Sequence, residues 1–247
     1  MRTLGVILGR AGSKGLPGKN ERALAGRPCV EWTIDHALSA QRLDSVCLST
    51  DSDTLASIAD RRGVDVVRRD PALASDTATV DAAARHALTH IEATQGRFDA
   101  VVVLYANVPV RPVGLIDEAI ATLERTGADS VQSYASVGKH HPMWTAVVED
   151  DGRVRPYAGD LLNGGIHRRQ DLPPAHIPDG GVIACTRAAM TLEIAGVVGG
   201  ASGPHAFFGR DRRGVVTEEG AVIDIDTELD AIVADAVLRA RREQHAA

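Results

Sequence analysis

The sequence predicts an α/β fold in which a mostly parallel sheet carries helices on both faces and is interrupted by a small insertion. Three observations point there. Apolar runs of strand length alternate with helical periodicity from Thr3 to Ser136; such alternation builds right-handed crossovers and a parallel sheet covered by helices. A glycine-rich basic turn follows the first strand directly, at the sheet edge where open α/β folds bind ligands. Residues 137–175, rich in Pro, Gly, His and Arg, then break the pattern before strand signal returns at Gly181–Cys185.

Taken in order, Thr3–Leu8 reads as a buried strand, Cys29–Leu38 as a helix and Ser45–Ser49 as a second strand. A helical stretch, Asp53–Arg61, and a short strand, Val64–Val67, follow. Val80, Ala83, Ala84, Ala87, Leu88 and Ile91 recur at helical spacing, as do Leu115, Ile116, Ala119, Ile120 and Leu123, on either side of the apolar run Ala100–Leu104. Ser130–Tyr134 is again strand-like. Residues 137–180 form the expected insertion, with weak strands near Trp144–Val148, supplying a substrate wall or a dimer contact within a single 1–247 domain. Val215–Thr217 and Ala221–Ile225 are the last expected strands. A final helix is capped by Thr227 and faces the core through Leu229, Ile232, Val233, Ala236 and Val237.

The 247 residues, 44% apolar, suffice for one substantial core. No apolar run is long enough to cross a bilayer, and the N-terminal run is broken at once by Arg10 and Lys14, so it reads as a strand rather than a leader. Cys29, Cys47 and Cys185 lie too far apart for a metal or redox pair; reduced buried thiols in a cytoplasmic protein are expected. A formal charge of −6 excludes general nucleic-acid binding. Locally, however, Arg10, Lys14, Lys19, Arg22 and Arg27 face only Glu21, an excess that suits a polyanionic ligand.

That excess lies in Leu8-Gly9-Arg10-Ala11-Gly12-Ser13-Lys14-Gly15-Leu16-Pro17-Gly18-Lys19-Asn20. Glycines admit phosphate oxygens to the backbone N–H groups, and Arg10 and Lys19 neutralise charge. A Walker loop would need glycine at Ser13 and Ser or Thr at Asn20, and the dinucleotide spacing Gly-x-Gly-x-x-Gly does not occur.

Arg-x-x-Ser-Lys-Gly-x-Pro-x-Lys-Asn, matched from Arg10 to Asn20, resembles the loop of the N-acylneuraminate cytidylyltransferases. Ser49-Thr50-Asp51, Arg69 with Leu73-Ala74-Ser75-Asp76-Thr77-Ala78, His140-His141-Pro142, Leu172-Pro173-Pro174 and Asp224-Ile225-Asp226-Thr227 are similar to further motifs of that family in the same order. The resemblance implies a Rossmann-like sheet of the nucleotide-diphospho-sugar transferase type. It also implies attack by an acceptor hydroxyl on the α-phosphorus of CTP, with pyrophosphate leaving. On this resemblance Leu8, Arg10, Gly12, Ser13, Lys19, Asn20, Arg69 and Ala78 bind the nucleotide: Arg10 and Lys19 the phosphates, with Lys14 assisting, Asn20 the ribose, and Arg69 with the backbone around Ala78 the cytosine. A homodimer is also expected.

Asp224 and Asp226 are the expected metal ligands, since residues two apart in an extended segment share a face. Mg2+ is the expected ion, because hard oxygen donors beside a triphosphate suit it. Arg10, Lys19, Asp224 and Asp226 are thus the expected catalytic set. For Asp51 and Asp53, turn and capping roles are expected. On the acceptor side Tyr105, Asn107, Arg111, His141, Trp144, Arg169 and Asp179 are the candidates, with Arg111, Arg168 and Arg169 available to pair a carboxylate. Here the sequence departs from the family: Tyr105 stands for a glutamine, Trp144 for a lysine and Asp179 for an asparagine. The expected acceptor is therefore a sialic-acid-like or another keto-deoxy sugar acid, with a secondary-metabolite acid as the alternative. Phe207-Phe208 reads as core packing; the resemblance also implies a second reading, in which aromatics of this region cross a dimer interface to line the neighbour's sugar pocket. Competing readings are a transferase of another nucleotide to a sugar 1-phosphate, and a nucleotide-binding module without catalysis.

Overall fold

The computed structural model describes residues 1–12, 15–75, 77–194 and 205–246. Ser13, Lys14 and Asp76 lie outside the described residues. Seven strands form one sheet: β1 (Thr3–Leu8), β2 (Ser45–Thr50), β3 (Asp65–Arg68), β4 (Ala100–Tyr105), β5 (Ser130–Ser136), β6 (His176–Thr186) and β7 (Arg212–Thr217). Their order is β7-β5-β6-β4-β1-β2-β3. All neighbours run parallel except β6, which is antiparallel to β4 and to β5. Five longer helices cover it: α1 (Cys29–Ser39), α2 (Asp53–Arg61), α3 (Val80–Gln95), α4 (Leu115–Thr126) and α5 (Glu228–Ala246). This is the Rossmann-like, mostly parallel arrangement expected from the alternation.

The alternation of β1 sorts the core into two faces. Ile7 points to one cluster with Ile34, Leu48, Leu55, Leu104, Ile120 and Leu123. Leu4 and Val6 point to the other, with Leu88, Val101, Val103, Phe207 and Phe208. Side chains two apart share a face of a strand, so one six-residue strand seeds both layers. Phe207 and Phe208 stack at 4.3 Å and are 3% and 7% exposed, the core role expected of them. All three cysteines are buried and free, and burial pushes the Cys29 thiol up to about 12.

Two expectations are corrected. Ala221–Ile225 is not a sheet strand. Ile223 donates to Val110 O at 3.2 Å and Ile225 to Asn107 O at 2.9 Å, so the segment is pinned to the loop after β4 rather than to a ladder. The last helix also faces the core differently. Ala231, Ala234 and Leu238 are buried, while Leu229, Ile232 and Val233 are 67%, 58% and 44% exposed. The small alanines let α5 lie close to Leu24, Val110 and Ile225, and the bulkier stripe turns outward. Its expected cap is present: Thr227 Oγ1 accepts from Asp230 N at 3.3 Å while Asp230 Oδ2 accepts from Thr227 N at 2.7 Å, a reciprocal capping box.

Behind the sheet edge, His36 on α1 bonds the Pro109 carbonyl at 3.3 Å. Burial, with the Arg111 charge nearby, lowers its pKa from 6.5 to about 4. The unfolded chain therefore takes up this proton first, and stability falls as pH drops from 6.5 to 4. Below the lower value the loss is complete. Denaturant titrations across this window should show His36→Gln losing less stability on acidification than the parent, by an amount on the order of 2 kcal/mol. Parallel pH curves for the two proteins would refute the assignment.

Candidate active site

The turn after β1 is built by contacts that only small residues permit. A side chain at Gly15 would bring its Cβ within 2.9 Å of the Asp226 carbonyl oxygen, so glycine lets the loop pass directly against the late acidic segment. Asp51, at the end of β2, accepts from Ala11 N at 2.8 Å and holds the loop from the other side. This is the turn role expected of Asp51. The expected capping role belongs instead to Ser52, which accepts from Leu55 N, while Asp53 pairs with Arg68 at 2.9 Å.

Leu8, Arg10, Lys19, Asn20, Arg69, Ala78, Tyr105, Asn107 and Asp226 all line one cleft of about 380 Å³. Lys19 Nζ reaches Asp226 Oδ1 at 2.6 Å, joining two segments 207 residues apart in sequence. Asn20 is 5% exposed; its Nδ2 donates to Arg10 O at 3.0 Å, and its buried Oδ1 has no partner among the described residues. An orphaned buried acceptor of this kind awaits a donor. Arg69 donates to Ser49 Oγ at 2.9 Å and Ser49 O at 3.0 Å, and burial lowers it to about 10, so it stays cationic at neutral pH. Gly12 does not line the cleft.

Asp224 and Asp226 lie side by side beyond the loop after β4. Asn107 Nδ2 donates to both Asp224 Oδ1 and the Ile225 carbonyl. Burial first, and the Asp226 charge second, push the Asp224 carboxyl up to about 6. Asp224, with Asp226 two residues on at the basic cleft, offers a donor set that suits a hard divalent ion, since such ions need only one or two carboxylates when phosphates complete the shell. Among the described residues no group of three or more His, Cys, Asp and Glu is placed to hold a metal.

The cleft also contains residues that motif reading passed over. Thr79 and Val80 open α3 at its wall, and Thr79 Oγ1 caps that helix by accepting from Ala82 N. The positive end of a 16-residue helix thus borders the cleft. The signal was available as a threonine immediately ahead of the Val80 periodicity.

Several acceptor-side expectations are corrected. Arg111 is 1% exposed, and its guanidinium donates to Gly181 O at 2.7 Å, Thr33 Oγ1 at 2.9 Å, Tyr105 O at 3.0 Å and Val108 O. It is committed to the interior. His141 is 5% exposed; its Nδ1 accepts from Met143 N at 3.2 Å and its Nε2 donates to Pro173 O at 3.0 Å, so it holds the insertion together. Asp179 accepts from Ser133 Oγ, Gly181 N and Thr217 Oγ1, tying β5, β6 and β7 across the β6 bulge. Trp144 Nε1 donates to Ile166 O at 3.1 Å, while Arg168 pairs with Asp171 and Arg169 with Glu219. Trp144 and Arg169 line neither this cleft nor the one adjoining it.

Comparison with known proteins agrees with the geometry. The profile of the family described as "Cytidylyltransferase" matches residues 4–147. An N-acylneuraminate cytidylyltransferase of Streptococcus agalactiae serotype V is 35% identical over 196 residues, covering 78% of this chain and 45% of that protein. The CMP-N,N'-diacetyllegionaminic acid synthase of Legionella pneumophila is 36% identical over 155 residues, 62% of this chain and 66% of that one. The chain thus spans about half the length of the first of these relatives. A solved CMP:2-keto-3-deoxy-manno-octonic acid synthetase complexed with CTP shares the fold with a TM-score of 0.69 at 14% identity, covering 98% of this chain and 100% of that one. With its basic loop and Asp226 meeting in one cleft, and with the family profile matching residues 4–147, the chain belongs to the cytidylyltransferase family.

Proposed function

We propose that the chain couples CTP to the anomeric hydroxyl of a keto-deoxy sugar acid, releasing pyrophosphate and giving a CMP-sugar, and that it does so with Mg2+ held by Asp224 and Asp226. The observation that carries this reading is the 2.6 Å contact of Lys19 with Asp226. It joins the phosphate-loop cation and the expected metal carboxylate in one cleft. Asn20 Oδ1 supplies the acceptor that a ribose hydroxyl would satisfy. Arg69 lines the same cleft on the β2 side, where a cytosine edge would lie. A bound Mg2+ would neutralise phosphate charge and lower the pKa of a coordinated hydroxyl. The chain's own residues hold and orient: Arg10 and Lys19 balance the charge that develops on the phosphates, and the loop fixes the α-phosphorus in line with the acceptor.

The names of the two relatives favour an acid of the sialic or legionaminic type as acceptor. The protein is further proposed to form a homodimer, because Val148, Tyr157 and Leu161 of the insertion are 68%, 67% and 63% exposed, and to act in the cytoplasm, where its three free cysteines would stay reduced. Pyrophosphate release measured with each of the four nucleoside triphosphates, Mg2+ and a panel of keto-deoxy sugar acids tests the activity. Turnover with CTP and an acid supports it, and turnover only with another triphosphate or a sugar 1-phosphate rejects it. Arg10→Ala is expected to lower kcat by roughly 10²-fold, the scale for losing one preorganised charge contact. A change confined to acceptor KM would contradict its phosphate role.

A further inference from the structure

A second cleft of about 560 Å³ adjoins the first and shares Ala78, Thr79, Val80 and Tyr105 with it. In a keto-deoxy acid the attacking hydroxyl and the carboxylate sit on one carbon, so both belong where the two clefts meet, beside Tyr105. The rest of the ring and the tail then run away from the phosphates into the second cleft. Strand register fixes where they lead. Tyr105 ends β4, whereas Arg212 pairs with Ser130, Ser130 with Cys185 and Cys185 with Val101. Arg212 is therefore four residues back along the sheet from Tyr105, roughly 13 Å, and three strands across, roughly 14 Å. Both long side chains line the cleft, which leaves space on the scale of a sugar ring between their tips.

Resting on the function proposed above, we propose that Gln132 and Arg212 read the end of the acceptor opposite its carboxylate, and that the substituent they select there is an acylamino group. The guanidinium of Arg212 lies 5.3 Å over the Phe208 ring, and its Nε and Nη2 donate to Gly209 O at 3.2 Å and His205 O at 3.3 Å. These contacts fix the plane of the group yet use only two of its five N–H donors, and among the described residues it pairs with no carboxylate. Phe208 stacks on Phe207 in the core, so the support beneath the cation is rigid. Gln132 is oriented as well. The Tyr134 hydroxyl donates to Gln132 Oε1 at 3.2 Å, which leaves the amide N–H groups as what this side chain offers a ligand. Tyr134 can lie against β7 because residue 214 is glycine; a Cβ there would come within 3.1 Å of the Tyr134 ring. The far wall thus presents N–H donors and aromatic faces, and no carboxylate lines the cleft. An acyl group matches both: its carbonyl oxygen only accepts, and its methyl packs on a ring. A free amine, protonated at neutral pH, meets the Arg212 charge with no carboxylate to offset it. A hydroxyl in the same place leaves the rings uncovered.

The test uses one nine-carbon keto-deoxy acid in three forms, each as acceptor with CTP. They carry an acetamido group, a free amine or a hydroxyl on the ring carbon opposite the anomeric one. The parent protein is expected to favour the acetamido form over the amine in kcat/KM by roughly 10–100-fold, the scale for donors left unpaired or opposed by charge. Arg212→Met should lower that preference by about tenfold. Arg212→Glu should reverse it, because a carboxylate attracts the ammonium that the guanidinium repels. Gln132→Leu, which removes the second donor and leaves the cation, should lower the preference for acetamido over hydroxyl by about tenfold. Preferences unmoved in these variants overturn the assignment and leave the function standing, as does a parent that treats the three forms alike or accepts only an eight-carbon acid. A parent that takes no keto-deoxy acid at all rejects the function as well. Thermal transitions coincident with the parent's show that each change is local, and a melted Arg212 variant leaves Gln132→Leu to decide.

Discussion

Asp226→Ala is expected to lower turnover by about 10³-fold while leaving the folded state as stable as the parent. The two halves of this prediction have separate causes. In the structure the Asp226 side chain is 69% exposed, and among the described residues its ion pair is the one with Lys19. An exposed pair of that kind contributes about 1 kcal/mol or less to folding. The melting temperature should therefore barely move. Turnover is another matter, because Asp226 and Asp224 are the carboxylates that hold the divalent ion against the triphosphate in the proposed reaction. Removing one also frees Lys19, which then binds the phosphates without opposition. KM for CTP should consequently hold or fall while kcat collapses, a split that a merely structural aspartate would not give. Asp226→Asn separates charge from shape and should be nearly as inactive. Near-parental kcat in either variant, measured by pyrophosphate release over a Mg2+ titration, would remove the carboxylate pair from the mechanism.

The pairing of Lys19 with Asp226 was legible because both ends carry local signals. A glycine-rich basic turn after a first strand and two carboxylates spaced by one residue each restrict their own placement, and an α/β sheet brings the carboxyl ends of its strands to one edge. The acceptor side had no such local signature. The cleft adjoining the nucleotide cleft draws Gln132 from β5, His205 from the turn ahead of β7 and Arg212 from β7 itself, and the parallel pairing of β7 with β5 sets the spacing of the first and last of these. The last helix failed for a related reason. Its sequence carries two apolar stripes, and weighing residues by size selected Leu229, Ile232 and Val233 over Ala231, Ala234 and Leu238. Close approach favours the smaller set, and closeness is a property of the neighbour, not of the helix.

Arg111 shows the same limit in its strongest form and gives the largest stability effect. A lone arginine seven residues past a strand reads equally well as a ligand for an acid or as surface charge. Its neighbours decide. The side chain crosses from the end of β4 to β6, satisfying the carbonyls of Tyr105, Val108 and Gly181 and the hydroxyl of Thr33, while its own carbonyl accepts from Arg241 at 3.2 Å. Burial lowers its pKa to about 9, so the folded state carries the cost of a desolvated cation and offsets it with these four bonds. Arg111→Met removes the charge together with its cost, but it strands the Gly181 carbonyl and weakens the anchoring of the loop that carries Asn107. A loss of about 3–5 kcal/mol is expected, lowering the thermal midpoint by roughly 10 °C for a chain of this size. Arg111→Lys should recover only part of it, because an ammonium on a flexible stem cannot reach all four acceptors at once. If Arg111→Met instead unfolded at the parental denaturant midpoint and raised only the acceptor KM, the guanidinium would have to belong to the acceptor site after all.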